Sequence, residues 1–214
     1  MKKIGNSEGY PTLWANYCYE LLGNQDIDKK EFGFVGSNGD INRFAARFRA
    51  ANCFTQVDFE GYSNATITGY SALFRVMLTW STFEMFTNVT GLYQNDLRKR
   101  LEKVGAKDIL THIRELDKEA RFYRFIRDHV SDKRHKAELD NYFNQDPCNI
   151  TYLASSIRHI FAHGVLTPNS NKVSPHRVRK ICDILCQFLL TFMDKEFSKN
   201  IERAVNTISH RKVG

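Results

Sequence analysis

No long hydrophobic run occurs in this sequence. Its most apolar stretch, Ser71 to Val89, is interrupted by Arg75 and Glu84, whereas a membrane-spanning helix needs about 18 or more apolar residues with few or no charges. No membrane attachment is therefore expected, and the stretch reads as a core helix. The opening Met1-Lys2-Lys3-Ile4-Gly5 runs into Asn, Ser, Glu and Gly, with no apolar core of the kind a secretory leader carries. Cysteines are few and irregularly placed: Cys18, Cys53, Cys148, Cys182 and Cys186 are five in number and include no CxxC pair. That pattern argues against a disulfide framework and against a zinc ribbon. Cys182 and Cys186 are one helical turn apart in an apolar stretch, the setting of buried, reduced packing residues, and a reducing cytoplasm is the expected location. There is no HExxH motif and no Glu-x-x-His pair, so neither a zincin nor a four-helix carboxylate site is expected. Internal repeats, heptad runs and low-complexity tracts are likewise missing.

What the sequence does contain is an ordinary globular balance, with 42% hydrophobic and 26% charged residues over 214 positions. This suffices for one large domain, or a domain with an N-terminal elaboration. The net charge is +7 and unevenly spread: Arg98 to Lys136 holds thirteen Lys or Arg against seven Asp or Glu. A local positive field of this kind suits polyanions such as RNA. It is also what the solvated faces of helices commonly look like.

Along the chain the dominant period is helical. Residues 1 to about 40 carry little pattern, and Gly33, Gly36 and Gly39 with Ser37, Asn38 and Asp40 read as a loop. Thr12 to Leu22 is compatible with a short helix. Asp40 is placed to cap a helix from Ile41 to Asn52, whose Ile41, Phe44, Ala45 and Phe48 share a face. Cys53 to Phe59 has strand-like residues. From Thr68 a long helix begins that is apolar around much of its circumference, as at the centre of a bundle. Basic helices follow over Asn95–Val104, ended by Gly105, then over Asp108 to about Val130, then over Lys133–Phe143, with Asp146-Pro147 as a stop. Asn149 is expected to cap a helix over Ile150–Ala162. Ser174-Pro175 opens the last helix, with serine at the cap and proline at the first position, and its apolar stripe runs to Phe197. The last dozen residues, polar and basic, are expected to fray. The reading is all-α, with a main body over 65–214 and an irregular, partly helical N-terminal extension over 1–64.

The chemistry concentrates in Arg158-His159-Ile160-Phe161-Ala162-His163-Gly164. On a helical wheel of about 100° per residue, Ile150, Leu153, Ala154, Ile157, Ile160 and Phe161 occupy about a third of the circumference and form a buried stripe. Arg158 and His163 fall on the opposite sector, about 140° apart, with His159 and Ser155 between them. One strip thus holds an arginine, two histidines and a serine, and Gly164 ends the helix beside them. These residue types fit cleavage of RNA. The 2′-hydroxyl next to each phosphate is a built-in nucleophile, histidine transfers protons near neutral pH, and the arginine fork holds a phosphate and stabilises the charge that develops on it.

The segment resembles the catalytic signature of the HEPN ribonucleases, an arginine and a histidine separated by four to six residues with a polar residue after the arginine. In that family the motif lies near the end of the penultimate helix of an α-bundle, ahead of a turn and a final helix, and the order here is the same. The resemblance covers about Thr68 to Phe197. It implies a HEPN-like bundle that dimerises with motif helices facing across a cleft, giving a composite site that cleaves RNA without metal or other cofactor. Carried onto this chain, it makes His163 the main acid/base, Arg158 the phosphate clamp and His159 the polar residue that orients them. Glu84, a lone acid in an apolar helix, is a candidate support for the arginine. The family implies RNA and a second copy as partners, and a toxin or defence role with an antitoxin or other regulatory protein. Three other readings stand beside it. A non-catalytic HEPN-like module would bind RNA or protein through the same strip. His159 and His163, at i and i+4, have the spacing of a zinc pair, though no third ligand is evident. The same cations at a helix C-terminus could simply cap carbonyls and meet the helix dipole.

Overall fold

A computed structural model describes residues 8–22 and 28–211. The opening residues 1–7, where no leader is expected, and the last three residues of the polar tail lie outside them. Among the described residues the chain is all-helical, without strands. The helices are α1 (Trp14–Asn16), α2 (Asn38–Cys53), α3 (Asn64–Thr90), α4 (Gln94–Lys103), α5 (Ala106–Leu116), α6 (Arg121–His129), α7 (Lys133–Asn144), α8 (Thr151–Ala162) and α9 (Pro175–Arg211). A π-helical turn, Tyr17–Leu22, continues α1, and 3-10 turns occur at Lys29–Phe32, Lys118–Ala120 and Ser170–Lys172. Among these described residues no helix is long and apolar enough to cross a membrane.

The chain falls into two compact units, the first made of Met1–Cys53, Ser81–Gln94 and Leu189–Gly214, the second of Phe54–Trp80 and Asn95–Phe188. Helices α3 and α9 each contribute to both. The first unit is packed by aromatic rings. Phe44 meets Phe86 at 5.5 Å and Phe197 at 5.7 Å, and Phe34 meets Phe197 at 5.5 Å, all fully buried. Each such side chain contributes about 1.5–3 kcal/mol by leaving water. This unit also holds Cys18, half-buried, and Cys53, exposed.

The second unit holds the Arg158 segment. Here α6 packs on α7 and α8, and α7 packs on α8, around buried Phe122, Tyr123, Ile126, Leu139, Ile157 and Ile160. Arg127 on α6 grips Asp140 on α7 through Nε and Nη2 at 2.9 and 3.2 Å, which fixes one helix against the other. Gly69 on α3 is seated against the turn after α8: a Cβ there would come within 2.4 Å of Pro168. Cys148, Cys182 and Cys186 are buried in this unit. Parts of the basic run serve the fold. Arg114 donates to the Tyr142 carbonyl at 3.0 Å and lies over its ring, and Arg98 and Arg121 pair with Glu102 and Glu119.

Several local expectations change. The helix expected over 108–130 is broken: α5 ends at Leu116, and Glu119 and Ala120 take left-handed conformations. The buried carboxylate of Asp117 accepts from the amides of Phe122 and Tyr123 at 2.9 and 3.0 Å, so from three residues before the N-cap Ala120 its side chain satisfies two first-turn amides of α6. Burial pushes this carboxyl up, while those two amides pull it back. Helix α2 begins earlier than expected. Ser37 Oγ accepts from the Asp40 amide while Asp40 accepts from the Ser37 amide, a reciprocal box in which Ser37 is the cap. Residues 54–63 form no strand. They have no strand to pair with, and the Val57 amide donates instead to Ser71 Oγ at 3.1 Å. The final helix runs well past Phe197, to Arg211.

Candidate functional site

Helix α8 starts as its sequence indicates. Asn149 Oδ1 accepts from the Thr151 amide at 3.1 Å and from its hydroxyl at 2.9 Å. Leu153, Ala154, Ile157 and Ile160 face the core, which turns the opposite sector outward. The helix ends in a Schellman arrangement: the Gly164 amide donates to Phe161 O and the Val165 amide to Ile160 O, both at 3.0 Å. Gly164 has φ of +74°, and a Cβ on it would meet nothing. Glycine is thus demanded by the left-handed turn, and the space beside it is open. Because backbone amides occupy these carbonyls, the histidine rings are not their caps. Among the described residues, the side chains of Arg158 and His163 make no hydrogen bond or ion pair.

The structure brings His159 and His163 together and adds a residue that the sequence reading missed. The His159 and His163 rings meet edge to face with centroids 4.7 Å apart. On the other side of His159 the ring of His135, from α7, lies roughly parallel at 6.3 Å. Two hydrogen bonds hold His135: Nδ1 to Asp132 Oδ1 at 2.8 Å and Nε2 to Ser155 Oγ at 2.5 Å. Asp132 is also the N-cap of α7, accepting from the amides of Arg134 and His135 at 2.9 Å. The hydrogen bond from His135 heads the causes that hold Asp132 down at about 2. An ionised carboxylate only accepts, so Nδ1 carries the proton and, in the neutral ring, Nε2 accepts from the Ser155 hydroxyl. The Tyr152 ring also meets His135 edge to face, at 5.0 Å.

The result is a ladder of three imidazoles, His135, His159 and His163, with Arg158 beside it. Burial, and then the neighbouring His163, His135 and Arg158, make His159 harder to protonate than an ordinary histidine. Ser155, which the sequence places in the strip without a role of its own, is the anchor of His135. Glu84 is exposed and belongs to the first unit, whereas every member of the ladder belongs to the second. A signal for His135 did exist in Asp132-Lys133-Arg134-His135, where an aspartate cap stands three residues before a histidine on the first turn.

Asp132, His135 and Ser155 have the connectivity of a serine hydrolase triad. Ser155 sits in mid-helix, however, where the surrounding amides are already donating along α8, so no amide pair is left beside it to receive an oxyanion. The chain of hydrogen bonds therefore orients His135. Among the described residues no group of three or more His, Cys, Asp or Glu side chains is arranged to hold a metal ion. The chain matches no protein-family model, no curated protein and no solved structure.

Proposed function

We propose that this protein is a metal-independent endoribonuclease of HEPN type, acting through Arg158, His159 and His163. The observation that carries this reading is the meeting of an unpaired guanidinium with adjacent imidazoles on one outward face at the end of α8. In the reaction, His159 takes the proton of the 2′-hydroxyl as the 2′-oxygen attacks phosphorus. Its reluctance to hold a proton keeps the accepting form available. Arg158 binds the non-bridging oxygens and stabilises the charge of the five-coordinate intermediate. His163, exposed at the helix end, gives a proton to the 5′-oxygen as the P–O5′ bond breaks. The products are a 2′,3′-cyclic phosphate and a 5′-hydroxyl, so atoms and charge balance without a further reactant. His135, held by Asp132 and Ser155, keeps the His159 ring in place. Two copies with these strips facing each other would form the composite site that the resemblance implies, and a toxin or defence role with a regulatory partner belongs to the same reading.

The test is cleavage of a mixed-sequence RNA in excess EDTA by wild type, His163→Ala and Arg158→Ala. Cyclic-phosphate ends made by wild type and lost in both variants are the expected result. RNA bound but never cut by folded wild type would instead make this a binding module. Light scattering checks the dimer, and a strict monomer at micromolar concentration, with and without RNA, would remove the composite site.

A further inference from the structure

Beside Arg158, on the side away from the histidines, lies a run of aromatic rings. Phe161 is three residues after Arg158 on α8 and so adjoins it on the helix surface. Its ring meets Phe74 edge to face at 5.3 Å and Tyr70 at 6.4 Å, both on α3. Tyr70 in turn meets Tyr62 at 6.3 Å. Tyr62 is 56% exposed and Phe74 37%, in a chain whose other phenylalanines are mostly covered. Tyr70 and Phe161, half-buried between them, join these two rings into one partly exposed aromatic patch. Positive charge adjoins the ledge at one edge, where Arg158 makes no hydrogen bond or ion pair among the described residues.

We propose that the ledge of Tyr62, Tyr70, Phe74 and Phe161 is a nucleobase subsite, taking the base that flanks the phosphate held by Arg158. This rests on the ribonuclease reading and deepens it. A guanidinium beside flat aromatic rings matches one nucleotide step, in which the phosphate meets the cation and the neighbouring base stacks on a ring. A base can be stacked only when it is free of its own helix. The ledge therefore selects an unpaired base, and the larger π face of a purine is held more tightly than a pyrimidine.

The test uses Tyr62→Ser and Phe74→Ser, both at exposed positions, with thermal melts to show that each remains folded. The probes are short unstructured RNAs carrying 2-aminopurine, a pyrimidine or an abasic site next to a single cleavable phosphate, and the same strands annealed to complements, all in EDTA. The expected results are a fluorescence change on binding the 2-aminopurine strand and tighter binding of purine than of pyrimidine or abasic strands. Single strands should bind better than duplexes, with about tenfold or greater weakening in each variant. Variants that bind and cut as wild type does would overturn the ledge and leave the ribonuclease standing. Binding through the ledge without cleavage would sink the ribonuclease and leave the base subsite. No RNA binding of any kind removes both. Loss of self-association in the same variants, with RNA binding unchanged, would show that a second copy covers the ledge and overturn the proposal.

Discussion

Phe197 and Phe74 are both phenylalanines on long helices, yet Phe197 is wholly buried and Phe74 is 37% exposed. In the first unit Phe197 touches Phe34, Phe44 and Tyr17, and these rings are packed among buried aliphatic residues such as Ile41, Val89 and Ile201. In the second unit α6, α7 and α8 pack on one another, and Phe74 meets Phe161 edge to face while more than a third of it stays in solvent. The same side chain is thus a structural member in one unit and a partly open surface beside the candidate strip in the other. Composition cannot separate the two roles. Only the number of sides on which a ring is enclosed does so.

The largest effect should come from opening the enclosed cluster. Phe197→Ala is expected to cost about 3–5 kcal/mol, the usual penalty for truncating a buried aromatic, whereas Phe74→Ala should cost under about 1 kcal/mol, in the range of surface changes. Chemical denaturation of both variants measures the contrast, and similar losses would abolish it. Next, Arg158→Lys should lower RNA cleavage about a hundredfold with an unchanged melt, because a point charge does not reproduce the arginine fork on a phosphate. The helix starts extend the comparison at smaller scale. Asp117→Ala in the second unit strips a buried helix start of its acceptor and should cost about 2 kcal/mol, while Ser37→Ala, at the exposed start of α2, should cost about 1 kcal/mol.

The smallest effect is one of pH. His159 is harder to protonate in the folded chain than in the unfolded one, so the unfolded chain takes up its proton first. Stability should therefore fall as the pH drops through the ordinary histidine value of about 6.5. A His159→Asn variant should show a flatter profile between pH 7 and 5, and parallel profiles would assign the slope to other groups.

Helix α8 and the start of α9 were legible because apolar spacing, Asn149 and Ser174-Pro175 all point the same way, and Ser174 Oγ does accept from the Arg177 amide. The break after α5 was not. Apolar residues keep their helical period across Asp117 to Ala120, and the turn is made by non-glycine residues in left-handed conformations with a buried aspartate accepting from first-turn amides of α6. Nothing in the linear pattern separates that aspartate from a surface one. The candidate strip was half legible. Arg158, His159 and His163 lie on one helix and can be placed by counting, whereas His135 sits in a Lys-Arg-His-Lys run that reads as a solvated face. Its partner Ser155 is twenty residues away, a pairing that exists only once α7 packs on α8.

The placement of the thiols has a consequence of its own. Burial raises Cys148 to about 11 and Cys186 to about 12, and it also pushes Cys182 well above its ordinary value, and thiolates rather than thiols react with alkylating reagents. All three belong to the second unit, while the more accessible Cys18 and Cys53 belong to the first. A time course of alkylation followed by mass spectrometry therefore contains two clocks. The early adducts record the native surface of the first unit, and the late ones record each local opening of the second.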